Sequence, residues 1–134
     1  MSDLFHELEE TVTTDVRRAL AEDVGAGDLT AGLLPAGKVA KARLITRQDA
    51  VLCGTEWFER TVELLDPEAE IYWHHKDGDD IVAGSNVCEV EGDARALLTA
   101  ERTAINFLQT LSAVATRTRA YVKRVEGTKA KILD

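Results

Sequence analysis

The sequence predicts an α+β fold, with a small antiparallel sheet and helices flanking it along the chain. Three observations carry this reading. Between Glu70 and Glu91, runs of strand-forming residues alternate with turns at the spacing of a compact antiparallel sheet. From Thr99 onward the apolar period becomes helical, placing Ala104, Phe107, Leu108, Leu111 and Val114 on one stripe. The 134 residues are 45% hydrophobic, with only two prolines and nine glycines, which suits one packed domain and argues against low complexity.

Taken in order, Asp3 to Glu10 reads as a short helix. Thr14-Asp15 supplies an N-cap for a second, in which Val16, Ala19, Leu20 and Val24 follow helical spacing. Gly25-Ala26-Gly27 stops it, because glycine accepts the left-handed backbone of a helix end. Val39 to Thr46 and Ala50 to Cys53 read as two strands joined near Gln48-Asp49. Glu56 to Leu65 is a short amphipathic helix closed by Asp66-Pro67, since proline cannot continue it. The sheet region then gives Glu70 to His74, a turn over Lys76 to Asp79, Ile81-Val82, a turn over Ala83 to Asn86, and Val87 to Glu91. Ser112 marks the start or kink of a further helix running to about Val125, Gly127 ends it, and Lys129 to Leu133 reads as a strand.

Composition narrows the function classes. The net charge is -8, but Arg95 to Lys131 carries eight basic residues against Glu101 and Glu126. An acidic chain with one basic helical region is a poor general nucleic-acid binder and suits a small anionic ligand held locally. No apolar run reaches the ~18 residues of a membrane span, and the N-terminus is too acidic for a signal peptide. Cys53 and Cys88 form no metal-ligand pattern and read as reduced, buried thiols, so a cytoplasmic location is expected.

Several groups invite chemistry. Arg102 lies about 180° around its helix from the Phe107/Leu108/Leu111 stripe, with Asn106 and Gln109 on its face. Spacing alone makes this a solvated polar face. A functional arginine there would offer a rigid fork of donors that grips a carboxylate with two parallel bonds. Asp77, Asp79 and Asp80 resemble a cation loop but lack the later bidentate glutamate, so a tight turn is the plainer reading. His74 and His75 are neighbours on a predicted strand and point to opposite faces, unsuited to one metal. Glu22 to Thr30 has the glycines of a phosphate loop but neither its lysine nor a preceding strand. Gly78 to Glu91 resembles the half-repeat of biotinyl and lipoyl carrier domains. Lys76, the nearby lysine, lacks the flanking residues those motifs show.

One ordered set of motifs is far more specific. It comprises Glu22-Asp23 with Gly27-Asp28-Leu29-Thr30, Cys53-Gly54, Asp77-Gly78-Asp79, Glu101-Arg102-Thr103-Ala104 with Asn106-Phe107, and Gly127-Thr128 with Leu133-Asp134. From about Glu22 to Asp134 this series resembles the quinolinate phosphoribosyltransferase family. The resemblance implies an α/β-hammerhead-like N-terminal domain over residues 1–126, and the opening strand of an α/β barrel over 127–134. A full barrel needs about 200 residues or more, so most of it is expected beyond Asp134 and the 134 residues alone are expected to be inactive.

The family joins quinolinate to 5-phosphoribosyl 1-pyrophosphate, releasing pyrophosphate and carbon dioxide and giving nicotinate mononucleotide, with Mg2+ (magnesium). The resemblance implies that Arg102 binds quinolinate in the active site of a neighbouring subunit, hence a homodimer or higher homo-oligomer. No catalytic residue and no metal ligand is assigned within this chain. Arg95, Arg117 and Arg119 match no family position and read as surface or interface charges. The alternatives are a paralogue associated with molybdenum transport and, from another class, a non-catalytic carrier or dimerisation module.

Overall fold

The computed structural model of the chain describes residues 2–24, 33–35 and 37–133. The predicted helix stop at Gly25 to Gly27, the Gly27 to Thr30 motif and Asp134 lie outside the described residues. The elements are α1 (Ser2–Val24), β1 (Val39–Ile45), β2 (Ala50–Val51), α2 (Thr55–Leu65), β3 (Glu70–Trp73), β4 (Asp80–Ile81), β5 (Asn86–Asp93) and α3 (Ala94–Val125). The α+β class stands, with small antiparallel sheets and flanking helices.

The two predicted N-terminal helices are one. Val12 and Val16 sit four residues apart on a single buried stripe that runs straight through the expected break. Asp15, expected near a cap, instead accepts a hydrogen bond from Trp57 Nε1 at 3.3 Å and ties α1 to α2. In α2 the apolar face is Phe58, Thr61 and Val62, all buried. Its end at Asp66 is as the sequence predicts, and Asp66 does a second job: one carboxylate oxygen accepts from the Asp93 amide at 2.8 Å. Gly92 permits that approach, since a Cβ there would lie 2.7 Å from the same oxygen and 2.9 Å from Ala69 Cβ.

The strands do not pair in sequence order. β5 is central, with β1 on one side and β3 on the other, both antiparallel. β2 and β4 form a separate two-stranded ribbon. β1 and β2, though adjacent in sequence, are therefore in different sheets. The register places Leu44 beside Cys88 and Ala42 beside Val90 on the inner face. Glu89 and Glu91 fall on the outer face with Arg43 and Lys41.

The core gathers Leu52, Phe58, Val62, Ile81, Val87, Cys88, Val90, Ala100, Ala104 and Leu108, so it lies between the strands, α2 and α3. Phe58 and Trp73 meet edge to face with ring centroids 5.3 Å apart, the arrangement their quadrupoles favour. Helix α3 begins at Ala94, five residues before Thr99, because the Asp93 carboxylate caps it by accepting from the Ala96 amide at 3.0 Å. It runs unbroken through Ser112 rather than restarting there, and 32 helical residues span about 48 Å. Residues 129–133 belong to no described strand. A strand is defined by the neighbour it bonds to, and no described element offers them one.

Candidate functional site

The orientation of α3 decides what its polar residues do. Ala100, Thr103, Ala104 and Leu108 face the core, a stripe rotated from the predicted one. Phe107 and Leu111 are only half-buried and Val114 is 59% exposed. Thr103, just 2% exposed, donates its hydroxyl proton to a carboxylate oxygen of Asp23 near the end of α1. That bond satisfies a polar group inside the core and fixes the rotation of α3 at the residue after Arg102.

Arg102 is consequently exposed. With Leu98, Glu101, Ile105, Asn106 and Gln109 it lines an open depression of about 460 Å³. At about 100° per residue these side chains fall in a definite order around the helix. Glu101 stands at one rim, Arg102 and Asn106 stand at the other, and Leu98, Ile105 and Gln109 lie between. Arg102, Asn106 and Gln109 have no side-chain hydrogen bond or ion pair among the described residues. The arrangement presents a guanidinium fork and amide donors beside aliphatic walls. It suits a small flat anion.

The C-terminal half of the same helix is different. Ser112 Oγ accepts from the Cys53 amide at 3.0 Å and donates to the Cys53 carbonyl at 3.1 Å. Thr116 Oγ1 accepts from the Val51 amide at 2.9 Å. Two hydroxyls one helical turn apart thus replace the strand that β2 lacks on its outer edge. Arg119 donates through Nη1 to Asp80 at 3.1 Å and through Nη2 to the Gly78 carbonyl at 3.0 Å. Arg95 Nε donates to the Leu34 carbonyl at 2.6 Å. The reading of Arg95 and Arg119 as surface or interface charges is therefore corrected: both brace their own fold.

The other candidates resolve into structure. Asp77 accepts from the Thr55 amide at 3.1 Å at the start of α2, and Asp79 accepts from the Lys76 amide at 2.9 Å. With Asp80 held by Arg119, the three aspartates serve a turn. His74 lies in the bend after β3, not in the strand, and its Nε2 is 3.5 Å from a Glu89 carboxylate oxygen. Cys88 is fully buried and its thiol is pushed up to about 12, chiefly by burial and then by Glu59 and Glu89. Cys53 is half-buried rather than buried, and burial, with Asp77 next, also raises its pKa. Both are held as thiols and not as nucleophilic thiolates.

Sequence reasoning placed Arg102, Asn106 and Gln109 on one outward face of the helix, and the structure exposes all three. That reasoning missed the Asp23–Thr103 bond and the paired roles of Ser112 and Thr116. One usable signal was present: Thr103 falls among small apolar residues on the buried face, where a hydroxyl requires a partner.

The fold and this site together define the class. The family model for the quinolinate phosphoribosyl transferase N-terminal domain matches residues 28–112, more than half of the chain. A probable carboxylating nicotinate-nucleotide pyrophosphorylase of Bacillus subtilis is 34% identical over 113 residues, covering 84% of this chain and 39% of that protein. A carboxylating nicotinate-nucleotide pyrophosphorylase of Mycobacterium leprae is 37% identical over 123 residues, covering 89% of this chain and 43% of its own length. Among solved structures, the nicotinate-nucleotide pyrophosphorylase from Francisella tularensis superposes with a TM-score of 0.86 at 38% identity, over 92% of this chain and 44% of that one. The chain belongs to the quinolinate phosphoribosyltransferase family and carries its N-terminal domain. It spans about two fifths of the length of these relatives. The carrier reading falls with this match.

Proposed function

We propose that this chain is the substrate-gripping N-terminal part of an enzyme that joins quinolinate to 5-phosphoribosyl 1-pyrophosphate. The products are nicotinate mononucleotide, pyrophosphate and carbon dioxide, a step of NAD biosynthesis. Residues 1–126 form the substrate-binding and dimerisation domain, and 127–134 lead into the catalytic barrel. One observation carries the reading: in a chain of this family, Arg102 stands on the outward face of α3 with its guanidinium unpartnered among the described residues. The similarity to carboxylating nicotinate-nucleotide pyrophosphorylases favours this substrate over that of a molybdenum-associated paralogue. Without the barrel, the 134 residues are expected to make no nicotinate mononucleotide.

Chemically, the ring nitrogen attacks an anomeric carbon with oxocarbenium character, and the adjacent carboxylate is then lost. Quinolinate is a dianion, and a fixed fork of donors holds it in attacking position more rigidly than a mobile ammonium would. Arg102 contributes that fork. The family resemblance implies that the substrate it grips sits in the site of a second copy, making the enzyme a homodimer or higher homo-oligomer, and a depression that opens away from the domain's own core suits that arrangement. The family resemblance implies magnesium. Among the described residues no three His, Cys, Asp or Glu side chains converge as a metal site, so no step is assigned to the ion here. No described helix is long and apolar enough to cross a membrane, and a cytoplasmic enzyme is consistent with that.

The test is subunit complementation in the full-length enzyme. Arg102→Ala subunits are mixed with subunits disabled at a barrel residue, each preparation inactive alone. If each site borrows its arginine from the partner, mixed dimers hold one intact site and activity returns. Mixed dimers that form without restoring activity would refute the arrangement.

A further inference from the structure

Resting on the reading of Arg102 as the quinolinate grip, the inward side of α3 raises a question of register: what holds that guanidinium in one place. A side chain reaches about 6 Å from the axis of its helix, so turning α3 by about 10° moves it by about 1 Å. A misplacement of about 1 Å can cost a reacting site roughly 100-fold. The rotation of α3 therefore needs a directional contact close to Arg102, and apolar burial is not directional.

Packing specifies the rotation poorly at this level of the helix. The neighbours of Thr103 on the buried stripe are Ala100 and Ala104, short side chains that make shallow ridges. Ser112 and Thr116 pin α3 to Cys53 and Val51, but about 15 Å and 21 Å along the axis from Arg102. Thr103 adjoins Arg102 in the chain, and its hydroxyl donates to the Asp23 carboxylate. Asp23 continues the stripe of α1 that holds the buried Val12 and Val16, about 20° around the axis from Val12. Each helix thus carries one polar residue where its periodicity calls for an apolar one, and the two meet. Helix α1 is itself a fixed reference, because Asp15, about two turns before Asp23, is tied to Trp57 of α2.

The bond adds little to stability. Asp23 is exposed, so water is an alternative partner for its carboxylate, and a polar pair replaced by apolar groups of the same shape can cost almost nothing. Direction is what apolar groups cannot supply, and fixing register is the best-attested use of a buried polar contact.

We propose that Asp23 and Thr103 are positioning residues: their hydrogen bond sets the rotation of α3 and so the place from which Arg102 grips its substrate. The experiment measures quinolinate affinity of the full-length enzyme by calorimetric titration, beside the thermal unfolding midpoint. Thr103→Val keeps the shape and removes the donor. It is expected to weaken quinolinate about 10-fold, inside the roughly 100-fold that a displacement of about 1 Å can cost. The midpoint and the KM for 5-phosphoribosyl 1-pyrophosphate should stay nearly unmoved, and Thr103→Ser should keep the parent affinity. Asp23→Ala leaves a buried hydroxyl without its acceptor, so midpoint and affinity should both fall. Adding Thr103→Val to it should return the midpoint and leave the affinity low. In the Arg102→Ala background Thr103→Val should weaken quinolinate no further, since its effect passes through that guanidinium. Three results overturn the proposal: an unchanged affinity in Thr103→Val, an affinity that recovers with the midpoint in the Asp23→Ala/Thr103→Val pair, or a full additional loss on top of Arg102→Ala. If Arg102→Ala by itself leaves quinolinate affinity unaffected, the reading beneath it fails as well.

Discussion

Helix α3 carries two polar regions with opposite fates. Around Arg102, the side chains of Arg102, Asn106 and Gln109 face outward with no hydrogen bond or ion pair among the described residues. Around Ser112, Thr116 and Arg119, every one of these side chains holds a strand or turn of the same domain. Both arginines occur in one helix, and both look like solvated charges by spacing. The difference is whether the fold offers a partner. Where it does, the guanidinium braces structure, and where it does not, the donors remain available to a ligand. A polar residue on a rigid helix is thus best sorted by its accounts with its own backbone and neighbours, not by its exposure alone.

Four experiments sharpen or break this comparison. The largest effect is expected at Arg102. Arg102→Ala in the full-length enzyme should weaken quinolinate binding by about 2–5 kcal/mol, roughly 30- to 5,000-fold, with the unfolding midpoint unmoved. Arg102→Lys should recover only part, because an ammonium cannot form the two-pronged bond. Steady-state kinetics beside a thermal melt separates the two readouts, and a lowered midpoint would place Arg102 with the structural group.

Next is the hydroxyl pair that stands in for a strand. Ser112→Ala with Thr116→Val leaves the Cys53 and Val51 amides without acceptors. Each orphaned donor costs about 1–3 kcal/mol, so denaturant unfolding of the double variant should show roughly the sum. Either single change that leaves stability unaltered would mean water replaces the hydroxyl and the pair is not a structural device.

Gly54→Ala should cost less, about 1–3 kcal/mol. Gly54 begins α2 with φ +100°, and a Cβ there would approach Leu111 Cδ1 to 2.8 Å. Leu111→Ala in the same chain relieves the collision but not the backbone strain. The double variant should therefore lose less stability than the two single losses combined, and strict additivity would show that the approach of α3 to Gly54 is not tight.

Smallest is Arg119→Ala. Asp80 is largely exposed, and such pairs contribute little, so a loss of about 1 kcal/mol is expected, mostly from the bond to the Gly78 carbonyl. Quinolinate affinity should not change. A selective loss of substrate binding with stability intact would erase the distinction between the two regions.

The sequence alone determined the α+β class, because the switch from period 2 to period 3.6 is local and survives any packing. It likewise marked α2, whose apolar face and Asp66-Pro67 stop lie within twelve residues. Arg102 was legible as the outward member of Glu101-Arg102-Thr103-Ala104, with Asn106 and Gln109 on its side of the helix. What only the tertiary structure decided depends on partners remote in sequence. Ser112 reads as a helix start until Cys53, 59 residues away, occupies its hydroxyl. Thr14-Asp15 reads as a cap until Trp57 takes the carboxylate, and Arg119 reads as a free charge until Asp80 lies against it. β1 and β2 read as neighbours, but strand pairing is a choice among all available edges, and β5 and β4 took them. Periodicity states which way a side chain points; only the assembled fold supplies what it meets there.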